Sequence, residues 1–174
     1  MENKTDLIET NNAKIDSIEN KCISKRLKRE LSIMYKLYEE IYVVIENENQ
    51  CTVIIYEFLN EKRISYKFII TKHYPFICPT VFLNNKMYIE FLISNQNQHF
   101  DDFKKIAGID CLCCESITSL CKDKWSCRNT LQDIIVEMNH FKNIKRNIVL
   151  KLLLDKIKYK YLITDINLGC WVFN

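Results

Sequence analysis

Apolar residues at Ile23, Leu27, Leu31, Met34 and Tyr38 recur at helical spacing, and Lys25, Lys28, Arg29 and Lys36 take the opposite side. That pattern predicts an amphipathic helix. The period then changes. Ile41 to Ile45 and Thr52 to Leu59 are β-branched runs separated by the polar turn Glu46-Asn47-Glu48-Asn49-Gln50, and Asn60-Glu61-Lys62-Arg63 makes another turn before Ile64 to Thr71. Short β-branched and aromatic runs between polar turns read as strands of an antiparallel meander.

Tyr74-Pro75-Phe76-Ile77-Cys78-Pro79-Thr80-Val81-Phe82 follows and holds both prolines of the chain. Each proline fixes φ, removes a backbone donor and biases the preceding residue toward extended backbone. The expectation is a rigid crossing over the sheet edge into a fourth strand. Ser94 to Asp110 is a polar connection rich in Asn, Gln and Asp. Asn129-Thr130 offers a cap for a helix to Phe141, with Leu131, Ile134, Ile135 and Met138 on one face. A further helix is expected over Asn147 to Lys160, with Leu150, Leu153, Leu154 and Ile157 inward, before an apolar and aromatic end from Tyr161 to Asn174. One helix, a meander and later helices give an α+β plan. The expected organisation is a disordered or frayed tail over 1–20, a core over 21–143, and a C-terminal helix with apolar tail over 144–174.

Composition narrows the function classes. At 174 residues, 48% hydrophobic and 27% charged, the chain suits one soluble domain plus tails. The net charge of +3 is mild and lysine far outnumbers arginine, so no nucleic-acid partner is expected. With glycine used only twice, at Gly108 and Gly169, a glycine-rich phosphate loop is excluded. The N-terminus is polar, without a charged-then-apolar signal pattern. The apolar run Ile148 to Leu154 is broken by Lys151 and is too short to span a bilayer. A cytoplasmic protein without a membrane partner is the expectation. In that compartment nine cysteines are expected to be reduced, metal-bound or catalytic.

The cysteines concentrate in Cys111-Leu112-Cys113-Cys114, followed by Trp125-Ser126-Cys127-Arg128-Asn129-Thr130-Leu131. Together with Tyr74-Pro75-Phe76-x-x-Pro79-x-Val81, this order resembles the ubiquitin-conjugating enzyme family. That family carries a YPFxxPxVxF segment, a Cys-Leu nucleophile segment, then WSP-x-x-T-[LI] opening a helix. The resemblance spans roughly Lys25 to Phe141, and divergent giant-virus proteins of this fold are similar too, which would mean a host cytoplasm. It implies a ubiquitin-conjugating-enzyme-like fold with an N-terminal helix, a four-stranded antiparallel meander and C-terminal helices. It also implies ubiquitin or a ubiquitin-like modifier as partner, an activating enzyme and a ligase, and no cofactor. By register with the family's Cys-Leu step the catalytic residue is Cys111, with Cys113 and Cys114 as fallback positions because the separation from Trp125 is long. The basic face of the first helix resembles the surface on which family members meet the activating enzyme and ligases; charge runs are also commonly a solvated face.

Departures from the family keep alternatives open. Cys127 stands where the family has proline, and there is no His-Pro-Asn ahead of Cys111. Asn95 and Asn97 lie in the polar connection, with nothing fixing them near the thiol. A catalytically inactive adaptor of the same fold is therefore the second reading. Cys111 and Cys114 also form a C-x-x-C which, with Cys121 and Cys127, could close a tetrahedral zinc site. Clustered cysteines can equally fill apolar space. His73, His99 and His140 show no ligand spacing to one another, and His140 is expected near a helix end, where a cation complements the dipole.

Overall fold

A computed structural model describes residues 24–59, 61–93, 104–105, 108–119 and 123–169. The expected tail over 1–20, most of the polar connection with Asn95, Asn97 and His99, Cys121, and residues 170–174 lie outside the described residues. Helix α1 spans Lys25–Leu37. Ser24 caps it, its hydroxyl accepting the Leu27 N–H at 3.1 Å, which satisfies one of the orphan donors of the first turn. Strands β1 (Glu40–Asn47), β2 (Gln50–Leu59), β3 (Lys62–Thr71), β4 (Thr80–Leu83) and β5 (Lys86–Met87) follow, all paired antiparallel in sequence order.

The architecture is thus α+β, with five strands where a four-stranded meander was expected. The extra strand is only Lys86–Met87, reached by a turn at Asn84 and Asn85 with φ of 50° and 64°. Paired left-handed residues of this kind suit a tight hairpin, and asparagine tolerates that backbone better than most residues.

Strand alternation builds the core. Cys51, Val53 and Ile55 of β2 stand opposite Ile70, Phe68 and Tyr66 of β3, and all six are buried. Val81 and Leu83 of β4 extend the same face beside Phe68 and Tyr66. Leu27, Leu31 and Met34 of α1 and Leu131, Ile134, Ile135 and Met138 of the last helix join it in one apolar cluster. A one-residue slip of β2 would expose that entire set, so the register is firmly specified.

After β5 come the short helices α2 (Tyr88–Ile93) and α3 (Leu112–Glu115), then α4, which runs unbroken from Leu131 to Gly169. Two helices were expected here. No glycine or proline interrupts Phe141 to Asn147, and Phe141, Ile144 and Ile148 carry the buried stripe across the expected gap. Leu150, Leu153, Leu154 and Ile157, expected inward, are about half exposed. His140 therefore sits inside a helix and has no C-terminal dipole to complement. Among the described residues no helix is long and apolar enough to cross a membrane.

Buried phenols give the fold an alkaline limit. Burial first, then a hydrogen bond to Glu57, raises the Tyr66 hydroxyl; burial also raises Tyr74 and Tyr88, each bonded to a carboxylate. In the unfolded chain these groups ionise near pH 10. Their contribution is complete below that pH and is lost as pH rises beyond it, because the unfolded state then binds fewer protons. At slightly lower pH two groups oppose each other: burial pushes Cys78 up to about 12 and pulls Lys145, whose ammonium donates to the Phe91 carbonyl, down to about 8. The urea midpoint should fall steadily above about pH 10; a midpoint that holds or rises there contradicts this.

Candidate functional site

The site begins with a carboxylate on the apolar stripe of α1. Glu30 is 5% exposed and accepts from Arg26 Nε at 2.6 Å, the Tyr74 hydroxyl at 2.7 Å and the Leu131 N–H at 3.0 Å. One side chain therefore ties α1, the proline crossing and the first turn of α4. Its negative charge also faces the positive end of the α4 dipole. Thr130 and Asp133 complete that helix start: the Thr130 hydroxyl accepts the Asp133 N–H at 3.1 Å and Asp133 Oδ2 accepts the Thr130 N–H at 2.8 Å. This is a capping box, at the place where Asn129-Thr130 predicted a cap.

The crossing between β3 and β4 folds back on itself, the Tyr74 N–H reaching the Thr71 carbonyl at 3.0 Å and the Phe76 N–H reaching His73 at 2.8 Å. The Tyr74–Pro75 peptide is cis. Tyr74 is buried, but Phe76 is 79% exposed, so the aromatic run divides between core and surface. Trp125 lies against this crossing. Its Nε1–H donates to the Pro75 carbonyl at 2.7 Å and its ring centroid is 6.2 Å from that of Tyr74. A half-buried indole satisfied in this way acts as a packed strut. Trp125→Phe, which keeps most of the ring and loses the donor, should lower stability by about 1 kcal/mol in urea unfolding; a variant as stable as the parent contradicts the strut.

The cysteine turn is held from two sides. Leu112 is fully buried beneath it, and Lys124 Nζ, next to Trp125, pairs with Glu115 Oε2 at 2.9 Å. Beyond α3, Glu137 of α4 accepts from Ser116 Oγ and the Ile117 N–H, both at 2.6 Å, and from the Tyr88 hydroxyl at 3.0 Å. Glu137 thereby clamps the exit of α3 and the start of α2 onto α4.

Cys111 occupies the N-cap position of α3 with extended backbone, φ −154° and ψ 117°. Its carbonyl accepts the N–H groups of Cys114 and Glu115, both at 3.1 Å. The Sγ atoms of Cys111, Cys113 and Cys114 all lie within 4.8 Å of one another, with Cys111 and Cys113 at 3.1 Å. Cys113 is buried, while Cys111 and Cys114 are half-buried. Burial acts to raise the Cys111 thiol, yet hydrogen bonds from Cys113 and from the Cys114 backbone and thiol outweigh it and leave Cys111 below its ordinary value. Burial, then the bond to Cys111, pushes Cys113 up. Of the four cysteines considered for zinc from their spacing, Cys111 and Cys114 come together with Cys113 as a third. Exposed Cys127 is not in this group, and Cys121 lies outside the described residues. An open groove lined by Ile109, Glu115, Arg128, Asp133 and His140 adjoins the turn.

Sequence reading missed Glu30 and Glu137, although each left a signal. Glu30 stands between Leu27 and Leu31, and Glu137 between Ile134 and Met138, on the apolar side of their helices. A lone carboxylate in a buried stripe requires partners, because an unpaired charge there is too costly. Comparison of the chain with protein-family models, with curated proteins and with solved structures found no match.

Proposed function

We propose that this chain carries ubiquitin or a similar modifier as a thioester on Cys111 and passes it to a lysine amine. The observation that supports this best is the 2.7 Å bond from Trp125 to Pro75, which brings into contact the two separate segments that resemble ubiquitin-conjugating enzymes. Lys124–Glu115 ties the cysteine turn to the same loop, and Cys111 is partly open to solvent. In the first step the Cys111 thiolate attacks the modifier's carbonyl carbon on the activating enzyme, and that enzyme's thiolate leaves. In the second step a lysine amine attacks the new thioester, an amide forms, Cys111 departs as thiolate, and the surplus amine proton passes to water. A thioester retains enough free energy to acylate an amine. The adjoining groove leaves space for the incoming lysine segment.

The absence of His-Pro-Asn from the sequence favours a second reading, an adaptor of the same fold that binds ubiquitin or a ligase without thioester chemistry. Loss of one oxyanion donor lowers a rate by about 10²–10³, so a slow enzyme and an adaptor differ in whether any adduct forms. Incubation of the chain, first stripped of metal by a chelator that is then removed, with activating enzyme, magnesium-ATP and ubiquitin decides between them. A shifted band that collapses in thiol reductant supports the enzyme; no shift with any modifier leaves the adaptor.

A further inference from the structure

A second chemistry resides in the same turn and does not require thioester transfer. Among the described residues the donors that gather there are three sulfurs, with no histidine or carboxylate in the group. Such a set selects soft cations over calcium or magnesium. The distances suit one centre: thiolates about 2.3 Å from a tetrahedral zinc stand roughly 3.8 Å apart, and the sulfurs here span 3.1 Å to at most 4.8 Å. Small side-chain rotations equalise those separations. The backbone beneath is already fixed, with the Cys111 carbonyl holding the Cys114 and Glu115 N–H groups and Leu112 buried under the turn. Cys111 and Cys114 are half-buried, which gives an ion a way in.

We propose that Cys111, Cys113 and Cys114 form a three-thiolate site for a thiophilic d10 cation, zinc(II) or copper(I). Copper(I) is satisfied by three sulfurs, and zinc takes a fourth ligand to complete its tetrahedron. Binding displaces thiol protons, so affinity rises with pH. It also occupies the Cys111 sulfur, so metal and acyl group exclude each other on that atom.

The test uses the full chain, reduced and stripped of metal, titrated with zinc(II) against a chromophoric chelator and with copper(I) in a copper-specific buffer. One equivalent of either cation per chain is expected, and the tighter-held ion identifies the occupant. Cys111→Ser and Cys114→Ser should each weaken binding by about 10-fold or more, while Cys127→Ser leaves it unchanged. Cys113 is buried, so Cys113→Ser is read only if its circular dichroism matches the parent; the half-buried Cys114 carries the test otherwise. Cobalt(II) provides a second readout, since its thiolate charge-transfer absorption should drop in Cys114→Ser. Failure to hold an equivalent of either cation overturns the site. So does a loss in Cys127→Ser matching that in Cys111→Ser with Cys113→Ser unaffected, because the metal would then sit on the C-x-x-C and Cys127. Thioester charging in the chelator-treated protein is scored separately, so either reading can fail alone.

Discussion

Glu30→Ala should cost the fold about 3–5 kcal/mol, the largest stability loss expected from a single substitution outside the apolar core. The carboxylate is buried and serves three donors on three different elements: Arg26, the Tyr74 hydroxyl and the Leu131 N–H. Its removal leaves a buried phenol and a buried helix-start amide without their acceptor, at about 1–3 kcal/mol each. It also removes the charge that faces the α4 dipole. The partly exposed Arg26 guanidinium adds less, because solvent screens it. Glu30→Gln keeps an acceptor of the same shape and should lose roughly half as much. Urea unfolding checks both; a loss below about 1 kcal/mol for Glu30→Ala would show that the three elements are held together by the apolar cluster alone.

The largest effect on activity is expected at Cys111. If its sulfur forms the bond to the modifier, Cys111→Ala should abolish charging, because no rate-accelerating group can replace the atom that is acylated. The substitution should leave stability within about 1 kcal/mol, since the residue is half-buried and its loss opens little space. Cys127→Ala, at an exposed position outside the thiol cluster, should charge like the parent. Adduct formation that survives in Cys111→Ala and disappears in Cys113→Ala would move the nucleophile to the neighbouring sulfur, 3.1 Å away.

Much of this architecture was legible in the chain. The β-branched and aromatic runs Thr52 to Leu59 and Ile64 to Thr71, set between polar turns, predicted β2 and β3, and each observed strand starts two residues earlier. Helix α1 and the Thr130 cap were equally plain, because capping and helical spacing are local signals. What escaped were features decided by tertiary contact. The strand Lys86–Met87 is too short to show a period, and only the Asn84-Asn85 pair announced it. The continuity of α4 was hidden by the polar residues between Phe141 and Ile148, although Phe141, Ile144 and Ile148 keep an apolar face running through that stretch. At the site, the sequence placed the thiols together but could not show which would meet. Cys113 joined because the extended backbone at Cys111 turns its thiol back over the short helix, a geometry with no sequence period.

The central claim, an acyl group carried on the Cys111 sulfur, is tested most directly by Cys111→Ser charged with activating enzyme, ATP and ubiquitin beside the parent chain. An ester on oxygen withstands thiol reductant, whereas a thioester does not. A parent adduct that vanishes in reductant is expected, together with a Cys111→Ser adduct that persists in reductant and is released by mild alkali. A parent chain that forms no adduct, or a Cys111→Ser adduct that still collapses in reductant, contradicts it.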